Sequence, residues 1–257
     1  MSKEISDQIV AITAGAGGIG LTIARHLAAR GAALALCDTD AGALARVAAE
    51  LPGALTMQAD VSDDAAVAAF FARIADTHGR LDALIANAGI AGPTGGVDAI
   101  SPAEFRRCVD VGLSGQFASA HHAVPLLRKA GGGAILCMSS VAGKYGYAFR
   151  TPYAATKFGV IGLAQSLAKE LGPDDIRVNA LLPGFVDGPR MRGVIADRAA
   201  EQDLSVEDMT AQYLSKVSLR RMVTEDDVAE MAAFLLSPAA RNISGQSIAV
   251  DGNVETL

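Results

Sequence analysis

Seven short apolar runs, each separated from the next by a longer stretch, constrain this chain more than any other feature. The runs lie at 8–13, 32–38, 54–59, 81–86, 133–139, 177–182 and 246–250. Most are apolar on both parities and close on a small or polar residue, the pattern of strands in a parallel sheet covered on both faces. Helical period occupies 19–30, which stops at Gly31, and 63–77, which follows the start signal Asp60-Val61-Ser62-Asp63. It returns at 102–129, where Pro125 predicts a kink or break, and at 153–171, which ends on Gly172-Pro173. Two more helical segments cover 205–217 and 225–236. The alternation predicts one doubly wound α/β domain over residues 1–257. The least periodic stretch, 183–203, reads as a functional loop, a substrate lid over about 184–217.

Composition narrows the class. At 257 residues and 51% hydrophobic, the chain can bury a large core, and with no Trp that core must come from Ala, Val, Leu and Ile. A net charge of −6 removes the footprint of a nucleic-acid binder and disfavours anionic membranes. No apolar run approaches the roughly 18 residues of a membrane span, and the start MSKEISD is too polar for a signal peptide. Cys37, Cys108 and Cys137 are too few for a disulfide framework and fall in strand or helix patterns, so they read as core residues of a cytoplasmic protein. His121-His122 has no partners at metal-ligand spacing, and no metal is implied.

The run Ile12-Thr13-Ala14-Gly15-Ala16-Gly17-Gly18-Ile19-Gly20 joins the first strand to the first helix. Gly15, Gly18 and Gly20 permit a tight turn, close backbone approach to a pyrophosphate, and close helix–strand packing. The helix N-terminus offers free N–H groups to phosphate oxygens. A sharp turn with no ligand gives the same glycines. Asp38 closes the second strand eighteen residues after Gly20, near the spacing of a ribose-binding acid. A carboxylate accepts from ribose hydroxyls and repels a 2′-phosphate; a like-charge pair at ~4 Å and an effective dielectric of about 20 costs on the order of 4 kcal/mol. With no Lys or Arg beside it, Asp38 favours NAD over NADP, the other reading being a solvated strand end.

Tyr153-Ala154-Ala155-Thr156-Lys157 puts a phenol and an ammonium on one helical face. A nearby positive charge favours phenolate, which suits proton transfer to or from a carbonyl oxygen, although the same spacing is common on helix surfaces. Ser139-Ser140 ends a strand thirteen residues upstream of the tyrosine, where a hydroxyl would bond a substrate oxygen or form a turn.

Taken in order, the glycine loop, Asp38, Asp60-Val61, Asn87-Ala88-Gly89, Ser140, Tyr153, Lys157 and Pro183-Gly184 resemble the short-chain dehydrogenase/reductase family from the first strand to Asp251-Gly252. The resemblance implies a Rossmann-type seven-stranded parallel sheet and a homotetramer or homodimer. It implies that Gly15, Gly18, Ile19 and Gly20 carry the pyrophosphate, that Asp60 and Val61 hold adenine, and that Asn87, Ala88 and Gly89 floor the cofactor site. Val186, after Pro183 and Gly184, would bond the nicotinamide carboxamide through its backbone. Ser140 would polarise the reacting oxygen, Tyr153 transfer the proton, and Lys157 bind the nicotinamide ribose. Of the two serines, Ser140 is the better match because it precedes Val141-Ala142-Gly143.

Three positions depart from the family pattern. Ala14 stands at its first glycine, Gly188 at a threonine near the carboxamide, and Gly112 at the catalytic-tetrad asparagine that supports a proton-relaying water chain. Glycine offers no side-chain donor or acceptor, so either water substitutes or turnover is weak. Arg150, Arg190 and Arg192 border the substrate cleft by position and suit a small hydroxylated anion or polyol, or else are solvated or at a subunit contact. The expectation is an NAD-dependent oxidoreductase interconverting a secondary alcohol and a ketone on a small polar substrate. The alternatives are a 3-oxoacyl thioester reductase and a cofactor-binding protein that has lost turnover.

Overall fold

The strands are β1 Ile9–Thr13, β2 Ala33–Asp38, β3 Leu55–Gln58, β4 Ala83–Ala86, β5 Gly133–Met138, β6 Ile176–Pro183 and β7 Ser247–Val250. In this computed structural model, which describes residues 3–257, they form one sheet in the order β3-β2-β1-β4-β5-β6-β7. Every pairing is parallel. Met1 and Ser2, which open the polar start, lie outside the described residues.

Successive side chains of a strand point to opposite faces, and both faces are buried here. Ile9 and Ala11 of β1 enter a core with α3 (Asp64–His78), α5 (Gly115–Ala130) and α6 (Thr151–Leu171). Val10 and Ile12 enter the other, with α1 (Gly18–Ala29), α2 (Ala41–Glu50) and α9 (Glu225–Leu236). That two-sided burial is why the runs lacked polar alternation. The three cysteines are buried and free. Among the described residues no helix is long and apolar enough to cross a membrane.

Three details differ from the sequence reading. Helix α2 was not expected: it is short, Ala-rich and interrupted by Gly42, and is started by Asp40, whose carboxylate accepts from Ala43 N. The segment 102–129 divides at a π-helical turn, Asp110–Ser114, between α4 (Pro102–Val109) and α5, whereas α5 runs on through Pro125 to a left-handed Gly131. The loop at 183–203 holds a helix, α7 (Pro189–Glu201), followed by α8 (Val206–Ser215). Among its described residues, helix α7 buries Ile195 and Ala199, one turn apart, with Met191 partly buried against the same cluster of Phe185, Met209 and Tyr213, and so narrow a stripe leaves little period to read.

The strand order reverses between β1 and β4, the place where open α/β sheets leave a crevice at the carboxyl ends of their strands. Most of the residues singled out from the sequence gather at those ends.

Candidate active site

The glycine turn is held by contacts that leave no room for side chains. A Cβ on Gly20 would run into the Ala14 carbonyl and the Asn87 amide. Gly18 has φ +51°, and Ala14, at the position where the family pattern has glycine, adopts φ +49°. The methyl is therefore accommodated by a left-handed alanine rather than by moving the turn, at roughly 1 kcal/mol. The Asp38 carboxylate spans the turn, accepting from Ala16 N at 3.1 Å and from Asp40 N at 3.2 Å, and is half-buried.

Thr13, which sequence reasoning did not single out, joins this turn to the end of β4. Its Oγ1 accepts from the N–H groups of Asn87 and Ala88, both at 3.0 Å. Asn87 Nδ2 in turn donates to the Thr13 and Ala14 carbonyls at 3.1 Å. Asp60 lies after β3 with its carboxylate bonded to Ser62 and Arg107, and those bonds hold it below the usual carboxylate range. Val61 is buried beneath Gly115, where a Cβ would come within 2.7 Å of Val61 Cγ2.

At the end of β5 the two serines separate. Ser139 Oγ donates to Lys157 O at 2.8 Å and is spent on packing α6 against the sheet. Ser140 Oγ accepts from Ala142 N at 3.2 Å, which leaves its own proton to donate. Gly143 lets the chain pass against α6, since a Cβ there would lie 2.5 Å from Lys157 O.

Lys157 is 4% exposed, and its Nζ donates to Met138 O at 2.8 Å. Burial first, then the Arg190 guanidinium, brings its pKa down to about 8. The Tyr153 ring stands between two cations, 5.7 Å from Lys157 Nζ and 5.2 Å from the Arg150 guanidinium carbon. Tyr153 is half-buried, and no hydrogen bond ties its hydroxyl to another described residue.

The arginines part company. Arg150 is 6% exposed, donates to Ala91 O at 2.8 Å and stacks on Tyr147 as well as Tyr153, its Nε having no partner among the described residues. With Tyr147, Thr94, Val194, Asp197 and Arg198 it lines a small pocket of about 20 Å³. Arg190 reaches across from α7 to donate to Gly89 O at 3.0 Å. Arg192 points outward, 69% exposed and 3.6 Å from Asp187, away from the cluster.

Pro183 ends β6 and Gly184 passes against Asp251, where a Cβ would sit 2.7 Å from Asp251 Cα. Val186 pairs in parallel with Val223 through the bonds of its neighbours, Asp187 N to Val223 O and Val223 N to Phe185 O. In such a pairing the N–H and C=O of Val186 itself face the opposite way. Gly188 abuts Glu225, which also accepts from Thr22 Oγ1 on α1.

A larger cleft, about 460 Å³, opens at the amino ends of the strands and is lined by Gln8, Asp82, Arg177 and Arg241 among others. None of the residues singled out from the sequence borders it. The glycine turn, Asp38, Asn87, Ser140 and Gly184 instead lie at or just after the carboxyl ends of the strands.

A family model described as enoyl-(acyl carrier protein) reductase matches residues 14–254. The chain belongs to the short-chain dehydrogenase/reductase family. Cis-4-hydroxycyclohexanecarboxylate dehydrogenase of Sinomonas cyclohexanicum is 36% identical over 98% of both chains. The 2-dehydro-3-deoxy-L-rhamnonate dehydrogenase (NAD(+)) of a Sphingomonas species is 36% identical over 88% of this chain and 86% of its own. The crystal structure of levodione reductase superposes with a TM-score of 0.88 at 32% identity, covering 96% of each chain. The fold and the class of enzyme, an oxidoreductase for secondary alcohols and ketones in a family that uses NAD(P), follow from these likenesses.

Proposed function

We propose that this chain is an NAD-dependent dehydrogenase/reductase acting on the secondary alcohol, or the matching ketone, of a small hydroxylated carboxylate. The observation that carries the reading is the buried Lys157, whose Nζ lies 5.7 Å from the Tyr153 ring, bonds Met138 O two residues before Ser140, and would lie 3.2 Å from a Cβ on Gly89. The glycine turn suits a dinucleotide on structural grounds: Gly20 lies where a Cβ would close the cradle, and the first N–H groups of α1 open onto it. Gly15, Gly18, Ile19 and Gly20 would hold the pyrophosphate, Asp38 the adenosine ribose, Asp60 and Val61 the adenine. Asn87, Ala88 and Gly89 would form the floor, with Pro183, Gly184 and Val186 beside the carboxamide. When bound, the nicotinamide supplies the hydride donor or acceptor that the exchange between alcohol and ketone requires.

The side chains do the rest. Ser140 Oγ donates to the substrate oxygen and orients it. Tyr153 Oη exchanges the proton with that oxygen, within reach of the Lys157 charge. Lys157 Nζ bonds the ribose hydroxyls next to the nicotinamide. Asp38 repels a 2′-phosphate, which favours NAD. For the substrate anion, Arg190 is the better candidate than Arg192, because it already reaches over the groove to Gly89. Arg150 would act from below, bracing the Tyr153 ring. Helices α7 and α8 would form the lid. The exposed rings of Phe105, Phe117 and Phe158 on α4, α5 and α6 suit burial against a second copy in a cytoplasmic homodimer or homotetramer.

Nicotinamide absorbance tests the proposal directly, with cis-4-hydroxycyclohexanecarboxylate, aldonic hydroxy acids and polyols, each run with NAD⁺ and with NADP⁺. Turnover should be confined to NAD⁺ and fall by about 10² to 10⁴ in Tyr153→Phe. A fall of less than tenfold would remove Tyr153 from the chemistry.

A further inference from the structure

Gly112 is not an empty slot awaiting a side chain. A Cβ there would lie 2.6 Å from Thr156 Cγ2, and Thr156 is held by its Oγ1 hydrogen bond to Pro152 O at 2.8 Å. One helical turn further on, Gln116 occupies the interior beside it and is 1% exposed. Its Nε2 donates to Gly112 O at 3.1 Å and to Met138 O at 3.0 Å. Both partners are carbonyls, which only accept, so the orientation of the amide is fixed by chemistry. Met138 O is the same atom that accepts from Lys157 Nζ. A single carbonyl at the end of β5 thus holds the carboxamide and the ammonium together. The other amide atom, Gln116 Oε1, is buried with no partner among the described residues. A residue serving only to fill space would leave no polar atom unsatisfied there, since that costs stability.

We propose that Gln116 is a positioning residue for Lys157: it fixes the Met138 carbonyl as the anchor of the ammonium and sets a dipole whose positive end disfavours the charge. This rests on the role given to Lys157 above. The groups facing Nζ are Arg190 from α7, Cys108 from α4, Cys137 from β5 and the Tyr153 ring from α6. Arg190 opposes the charge and the two cysteines favour it, while burial outweighs both. Gln116 adds a neutral donor on the one oxygen that Lys157 uses, and two hydrogen-bond donors converging on one acceptor weaken each other's hold.

The test is calorimetric titration of NADH into the whole protein over roughly pH 6 to 10, because a charged ammonium is the better donor to the ribose hydroxyls. Affinity in the wild type should fall with rising pH around a midpoint near 8, and that midpoint should be absent from Lys157→Met. In Gln116→Met the midpoint should move up by about half a unit to one unit, the effect of one lost neutral hydrogen bond. Gln116→Leu serves if the methionine variant does not fold, and with its donor likewise gone it should move the midpoint in the same direction. An unmoved midpoint, or affinity lost equally at every pH, would overturn the role of Gln116 while leaving Lys157 in place. A wild type with no midpoint that Lys157→Met removes would overturn the assigned role of Lys157, and this proposal with it.

Discussion

The two sides of the groove are built from different materials. On the side proposed for the cofactor, β1, the glycine turn, Asp38 and Asn87-Ala88-Gly89 are joined by backbone groups and short side chains, from Thr13 Oγ1 to the Ala14 carbonyl. On the side proposed for the substrate, long side chains on α7 and on the segment before α6 reach across: Arg190 to Gly89, Tyr147 to Tyr213 at 3.1 Å, Arg150 to Ala91. A backbone cradle cannot change its ligand without changing the fold, whereas a rim of arginines and tyrosines can be altered one residue at a time. If the two sides have the proposed roles, that difference lets one scaffold keep its cofactor class while its substrate varies.

The comparison breaks most severely at Gly20. Gly20→Ala forces a methyl into backbone, so NADH affinity should fall at least about 100-fold, or the protein should fail to fold; calorimetry beside circular dichroism tells which. Alanine tolerated there with affinity intact would mean the cradle is not where NADH binds.

Next in size is the buried lysine between the two sides. Below about pH 8 the folded chain carries the charged Lys157 at a cost, and above 10.5 the lysine is neutral whether folded or unfolded. Between those values the unfolded chain binds more protons, so stability gains with rising pH, by up to about 3 kcal/mol in total. Chemical denaturation of wild type minus Lys157→Met should show that rise across the window. A flat difference would place the ammonium in water.

On the substrate side, Arg190→Gln should raise KM for a carboxylate substrate about tenfold, and Arg192→Gln should leave it within twofold. Steady-state kinetics with both variants would expose an inverted order at once. The smallest effect belongs to the turn: Ala14→Gly should stabilise the protein by about 0.5–1 kcal/mol, read as a higher melting temperature, by relieving the left-handed alanine.

The side proposed for the cofactor was also the more legible in the sequence. Glycines, an acid at a strand end and Tyr-x-x-x-Lys stand at fixed spacings along the chain, and the inner strands were readable as apolar runs because they are buried on both faces, unlike the partly exposed edge strands β3 and β7. What stayed hidden depends on contacts between distant segments. Thr13 is an ordinary strand residue until Asn87 is beside it, and Gln116 is a polar residue in a helix until Met138 O shows what it holds. Gly112 read as a loss, since nothing along the chain announces that Thr156 fills its space. Helix α7 escaped because so narrow a buried stripe has almost no period. Arg190 and Arg192 were indistinguishable by position, yet one faces the groove and the other Asp187.

The proposed selection of NAD by the backbone cradle and Asp38 is tested most directly, and without knowledge of the substrate, by calorimetric titration of NADH and of NADPH into the wild-type protein. NADH should bind at least about tenfold tighter than NADPH, since one screened like-charge contact at Asp38 is worth about 1.4 kcal/mol or more. NADPH binding as tightly as NADH, or more tightly, would contradict it.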